Sequence, residues 1–159
     1  MPKVSVVLPV YNTSACLREA LDSVTRQAFR DIEIICVNDG STDNSLDIIK
    51  EYTDMDDRNT VINKPNGGYG HTMNVGMDAA TGEYLGILET DAFLDLTMYE
   101  DLYALADSHH LDTIRGSFTG LRVKKTAIYI YNSLLLTGIR CCLYRKVRGT
   151  PLLCMDYVI

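Results

Sequence analysis

For its first 115 residues the chain alternates short apolar runs with stretches of helical period. Val4-Ser5-Val6-Val7-Leu8 reads as a buried strand that stops at Pro9, which has no N–H to give a central ladder. Residues 14–28 place Leu17, Ala20, Leu21, Val24 and Ala28 on one helical face. Ile32 to Val37 is a second strand. Asn38-Asp39-Gly40-Ser41-Thr42-Asp43 is turn chemistry, with Ser41 or Thr42 placed to cap the next helix and Asp43 in its first turn. Leu46, Ile49 and Tyr52 give that helix its apolar stripe. Thr60 to Asn63 is a short third strand, followed by Asn66-Gly67-Gly68-Tyr69-Gly70 and a helix to about Ala80, with Thr81-Gly82 as its stop signal. Tyr84 to Leu88 is a fourth strand. A helix over about 97–107 and a strand at 112–115 complete the pattern.

Strands and helices alternating at this spacing predict an α/β fold: a Rossmann-like twisted, mostly parallel sheet with helices on both faces. Ligands of such sheets sit outside the carboxyl ends of the strands. The segments after Leu8, Val37, Ile62 and Leu88 are therefore expected to line one crevice. The tail breaks the pattern. Thr126 to Tyr131 suits a strand and Leu134-Leu135-Leu136 a piece of another, with no linker composition before them.

Charge sharpens that division. Residues 1–110 hold 7 Lys+Arg against 19 Asp+Glu, whereas residues 111–159 hold 8 against 2. The reading is a domain at 1–116 and an unassigned basic tail at 117–159, out of character with what precedes it. The acidic part argues against nucleic acid as a partner, since phosphate backbones need cationic contacts. The basic tail suits a solvated surface or peripheral attachment at the inner face of a membrane. No stretch approaches the 18 or more apolar residues of a membrane span, and Met1-Pro2-Lys3-Val4 lacks the cationic region of a signal peptide, so a cytoplasmic location is expected. The cysteines are Cys16, Cys36, Cys141, Cys142 and Cys154, an odd number without C-x-x-C spacing, and Cys16 and Cys36 read as small apolar core residues.

Each strand is followed by polar residues able to carry chemistry: Pro9-Val10-Tyr11-Asn12, Asn38 to Asp43, Asn66 to Asn74, and Glu89-Thr90-Asp91-Ala92. Two carboxylates two apart beyond a strand suit Mg²⁺ or Mn²⁺, which take oxygen ligands and leave positions for substrate phosphates. Such a cation would let an acidic crevice accept an anionic diphosphate and would neutralise it as it departs. Asp39 suits a base N–H or a ribose hydroxyl. There is no G-x-G-x-x-G after the first strand and no G-x-x-x-x-G-K-[ST], which counts against dinucleotide and P-loop chemistry.

In order and spacing, Val4 to Asn12, Val37 to Asp43, Asn66-Gly67-Gly68, Asn74-Val75-Gly76, Ala80 to Tyr84 and Glu89-Thr90-Asp91 resemble a family 2 glycosyltransferase over about residues 3–115. The resemblance implies a GT-A fold and a nucleotide-diphosphate sugar donor, most often a UDP-sugar. It implies a divalent metal and inverting transfer to a hydroxyl of a glycan or lipid-linked acceptor, in polysaccharide or cell-surface glycan synthesis. By position, Pro9 and Tyr11 would flank the base, and Asp39 would bind base or ribose. Asn66 and Asn74 would lie near the diphosphate or sugar. Glu89 would face the ribose or an outer shell of the metal, and Asp91 would hold the metal.

Some positions depart from the family. Ala92 stands where a further Asp is common, and Met73 where Arg often precedes the helix Asn. The general base, in the family an acidic residue well downstream and often in a Glu-Asp pair near a Trp, is not found. The chain has no Trp, and Glu100-Asp101 falls in a helical pattern close to the metal motif, so the catalytic residue is unknown. The alternative reading is a catalytically silent, truncated fragment that binds nucleotide or a partner protein. His71 reads as a loop residue, His109 and His110 as a helix end, and Met73 and Met77 as core.

Overall fold

The structure, a computed structural model, describes residues 1–115, 119–121, 128–130 and 142–145. Its elements are β1 (Val4–Val10), α1 (Leu17–Thr25), β2 (Ile32–Asp39), α2 (Ser45–Met55), β3 (Asn59–Lys64), α3 (Tyr69–Ala79), β4 (Tyr84–Ile87), α4 (Met98–Ser108), β5 (Thr113–Arg115), β6 (Thr119–Leu121), β7 (Ile128–Ile130) and β8 (Cys142–Arg145). One sheet has the order β3-β2-β1-β4-β8-β5. Its first four strands are parallel, and β8 runs antiparallel to both β4 and β5. β6 and β7 pair antiparallel as a separate ribbon, with β7 inside the segment expected to form a strand at 126–131. Leu134-Leu135-Leu136, Lys124 and Lys125 lie outside the described residues.

The two faces of the sheet are read from alternate residues. Val4, Val6, Leu8 and Val10 of β1, with Ile32, Ile34 and Cys36 of β2, pack against α1, α2 and α4. The intervening Val7, Ile35 and Val37 pack with Met73 of α3 and Leu85. All these side chains are buried, so β1 and β2 read as continuous apolar runs, as strands covered on both faces do. The α3 interface is close. A Cβ on Gly76 would lie 2.4 Å from Val7 Cγ1, so the helix rests on the sheet where it carries no side chain.

Local expectations are corrected at three places. β1 does not stop at Pro9 but runs to Val10. Val7 is the last residue paired with β4 and its carbonyl faces that side, accepting from Leu88 N–H at 3.0 Å. Pro9, two residues on, turns its missing donor to the same side, beyond the end of that ladder. α1 ends at Thr25 and Ala28 is exposed, because fully buried Gln27 takes over: its Nε2 donates to Asp95 carbonyl at 2.6 Å and its Oε1 accepts from Tyr99 N–H at 3.2 Å. α2 starts at Ser45 rather than behind Ser41 or Thr42. Asp43 receives Ser45 N–H at 3.0 Å, and the buried stripe is Ile48, Ile49 and Tyr52 with Leu46 half-buried. The Thr81-Gly82 turn is held by Glu33, whose Oε1 accepts from Thr81 N–H at 2.6 Å and Ser5 Oγ at 2.5 Å. Gly82 is required there because a Cβ would meet Ser5 N at 2.8 Å.

Candidate functional site

The carboxyl ends of β1 to β4 share one edge, and the loops beyond them are tied to one another. Beyond β1, Asn12 adopts a left-handed conformation at φ 52°. Its N–H donates to Ser41 Oγ at 3.0 Å, and its Oδ1 accepts from Thr42 N–H at 2.7 Å. The same pair of loops is stitched again by Thr13 N–H on Ser45 Oγ at 3.1 Å and Ser14 N–H on Asp43 Oδ2 at 3.0 Å. Asp43 is held well below the ordinary carboxylate range, first by the Ser45 hydrogen bond and then by Ser14, against an opposing effect of burial.

Asp39, the last residue of β2, is 3% exposed. Its Oδ1 accepts from Lys64 Nζ and from Gly67 N–H at 2.8 Å, and its Oδ2 from Gly68 N–H at 3.0 Å. Burial is the largest single influence on its carboxyl and pushes the pKa up. The hydrogen bonds from Lys64, Gly67 and Thr72 and the Lys64 charge outweigh it, and the net shift is downward. Gly40 follows at φ 68°, and a Cβ there would meet Asn66 N at 2.8 Å. The glycine therefore permits both the left-handed turn and the close approach of the β3–α3 loop.

α3 presents its amino end to this edge through Gly68, with no acidic residue in its first turn. At Tyr69, its first residue, the phenol donates to Glu89 Oε1 at 2.5 Å, joining the loop after β3 to the loop after β4 across the ends of β2 and β1. Glu89 is half-buried and Asp91 exposed. Burial and then the negative charge of Asp91 raise the pKa of the half-buried Cys16 thiol.

Among the sequence candidates, Asp39 and Glu89 are thus linked through Gly68 and Tyr69, and the backbone of Asn66 lies against Gly40. Pro9 is buried inside β1 and Tyr11 is 51% exposed just beyond it. Asn74 is exposed on α3, outside the face formed by Thr72, Met73 and Gly76. Met73 is buried against the sheet and Ala92 packs on the larger core cluster, so both positions that depart from the family face inward. His71 is exposed. Asn12, Lys64 and Tyr69 complete the set. Asn12 and Tyr69 fall within the polar runs that follow β1 and β3, and Lys64 is one of three lysines among residues 1–110 and the last residue of a strand. Among the described residues no group of three or more His, Cys, Asp or Glu is placed to hold a metal ion. No helix there is long and apolar enough to cross a membrane.

A four-stranded parallel sheet with α3 on one face, α1, α2 and α4 on the other, and polar loops gathered at its carboxyl edge defines a GT-A glycosyltransferase fold. The solved structure of S. aureus TarS 1–349 in complex with UDP-GlcNAc matches it with a TM-score of 0.66 and 32% identity, over 70% of this chain and 33% of that one. The chain belongs to glycosyl transferase family 2, whose sequence profile matches residues 5–140. The glycosyltransferase EpsJ of Bacillus subtilis, itself uncharacterized, is 38% identical over 118 residues, 74% of this chain. The chain spans about a third of that relative, 34% of its length. The mannosyltransferase PcManGT of Pyrobaculum calidifontis, solved with GDP-Man and Mn²⁺, matches with a TM-score of 0.55 and 27% identity over 58% of this chain and 28% of that one.

Proposed function

We propose that residues 1–116 are the donor-binding unit of an inverting glycosyltransferase that takes a nucleotide-diphosphate sugar, in the first instance a UDP-sugar, to a hydroxyl of a glycan or lipid-linked acceptor. The observation that carries this reading is the joined carboxyl edge: Asp39 is bonded by Gly68 at the amino end of α3, and Tyr69 of the same helix reaches Glu89 beyond β4. The UDP-GlcNAc bound by TarS supports the donor class. In this reading Pro9 and Tyr11 flank the base, Asp39 accepts from base or ribose, and Asn66 and Asn74 lie toward the diphosphate. Glu89 faces the ribose. The positive end of α3, free of acidic residues in its first turn, favours the diphosphate.

The donor set also fits a divalent metal, as the Mn²⁺ of PcManGT suggests. Asp91 is an exposed hard-oxygen ligand, and Mg²⁺ or Mn²⁺ needs only one or two carboxylates when phosphates complete its shell. Asp91 would hold it, and the ion would neutralise charge on the departing diphosphate. The general base is not assigned to any residue. Glu100 and Asp101 are exposed on the first turn of α4, with Asp101 accepting from Thr97 Oγ1 at 3.0 Å. That placement favours a second reading, a nucleotide-binding chain without turnover of its own. Release of UDP from a UDP-sugar in the presence of acceptor separates the two.

Thermal unfolding with and without UDP and Mn²⁺ tests the donor site. A ligand at a hundredfold excess over its Kd stabilises the folded state by about 2.7 kcal/mol, a rise in Tm of about 5–10 °C for a domain of this size. The rise is expected to need the metal and to vanish in Asp91→Ala. A cooperative transition that neither UDP nor GDP moves would refute the proposal.

A further inference from the structure

Glutamate at position 89 carries one methylene more than an aspartate would there, and that has a physical consequence. The extra methylene adds a rotatable bond and lets the carboxylate reach further, so its direction is less determined by the backbone. Something must fix it if it is to serve a ligand. The phenol of Tyr69 lies 2.5 Å from Glu89 Oε1 and comes from the opposite side of the crevice.

Tyr69 is well placed for this. It is the first residue of α3, directly after Gly68, whose N–H is bonded to Asp39 Oδ2 at 3.0 Å. Its backbone is thus anchored to the end of β2. Behind it, Gly76 seats the same helix on Val7 and Val37. A tyrosine has two torsions between backbone and ring, so little freedom remains once the helix is fixed. Tyr69 is 43% exposed, so the phenol meets Glu89 at the surface, within reach of an entering ligand.

We propose that Tyr69 is the positioning residue of Glu89, holding the lengthened carboxylate toward the ribose hydroxyls of the donor nucleotide. The inference rests on the donor reading above and adds a residue to it. Tyr69 acts through Glu89, without bond making or breaking.

The test measures Kd on the full chain by calorimetry at saturating Mn²⁺, with UDP and with 2′,3′-dideoxyuridine diphosphate, which lacks the ribose hydroxyls. A hydrogen bond to a charged group predicts that the wild-type chain prefers UDP by about tenfold or more. Tyr69→Phe removes only a hydroxyl from a half-exposed side chain. It is expected to cut that preference to about threefold or less while leaving the dideoxy ligand's affinity within about twofold. In a Glu89→Asp background, where the shorter carboxylate no longer meets the phenol, Tyr69→Phe is expected to leave the preference unchanged.

Equal weakening of both ligands by Tyr69→Phe would mean a general packing role and overturn the proposal. So would an unchanged preference, or the same effect in the Glu89→Asp background. A wild-type chain that binds both ligands equally well overturns it while leaving the donor reading standing on UDP binding itself. A chain that binds neither takes the donor reading down first, and the Asp91→Ala thermal series shows that failure independently.

Discussion

Gly76→Ala is a measurable test of how α3 sits on the sheet. A methyl group built at Gly76 lies 2.4 Å from Val7 Cγ1 and 3.2 Å from Val37 Cγ2. Carbon atoms in contact prefer about 3.5–4.0 Å, so the helix must back away by about 1 Å or the valines must turn. Val7 is fully buried and β-branched, so turning is restricted. Alanine gains about 1 kcal/mol over glycine inside a helix. Overpacking a core costs about 1–3 kcal/mol, and an overlap this deep belongs at the upper end. The net expectation is a loss of about 1–2 kcal/mol, read as a lower urea midpoint at unchanged m-value. Val7→Ala removes the obstructing methyl groups, so in that background Gly76→Ala should be neutral or stabilising. The coupling energy would then be about 1–3 kcal/mol. A Gly76→Ala chain more stable than wild type, or an equal cost in both backgrounds, would refute the reasoning. UDP affinity should fall with Gly76→Ala, because the amino end of the same helix carries Gly68 and Tyr69.

Lys64→Met should lower stability at neutral pH by about 2 kcal/mol, because the buried Asp39 carboxylate loses its cation. It should also move acid unfolding to higher pH. Asp39 is depressed in the folded state, so it contributes stability above the ordinary aspartate pKa of about 3.9, and that contribution is lost as pH falls through the folded value. Without Lys64 burial is less opposed, the folded pKa rises, and the loss begins earlier. Far-UV circular dichroism against pH reads it, and an unchanged acid midpoint would contradict it. Asn12→Gly should be more stable than Asn12→Ala, the reverse of the usual order, because alanine bears a cost of about 1–2 kcal/mol at a left-handed φ. Urea titration of the two variants decides it, and an alanine variant as stable as the glycine one would mean that the turn relaxes.

What the sequence made legible follows from the range of the interactions. β1 and β2 could be seen because both of their faces are apolar, and α3 because Met73 and its neighbours keep a period. The end of α1 could not, since Ala28 fits the helical period while the chain is turned by Gln27 reaching Asp95, 68 residues away. Pro9 was misread because a missing N–H matters only on a side where a neighbour continues, and β4 is shorter than β1. The antiparallel place of β8 between β4 and β5 had no local sign either, the tail having lost the alternation of the first 115 residues. Asp39 and Glu89 were legible as carboxylates beyond strands. Their partners Lys64 and Tyr69 were not, being 25 and 20 residues distant.

Those partners change the electrostatic picture of the crevice. Nineteen acidic residues in the first 110 would seem to repel a nucleotide diphosphate. At the end of β2, however, Asp39 is matched by Lys64 and by two backbone N–H groups. In the loop that follows, Asp43 is matched by Ser14 and Ser45 N–H. Both carboxylates take part in binding one loop to the next, and the amino end of α3 follows directly on the Gly67 and Gly68 N–H groups that bond Asp39. Exposed acidity at this edge therefore gathers beyond β4, at Asp91. A divalent cation entering the crevice would find its strongest attraction there, and a diphosphate lying between that cation and the start of α3 would meet positive potential at both ends. The acidic character of the chain and an anionic donor are then compatible, because Asp39 and Asp43 are already matched by donors from within the fold.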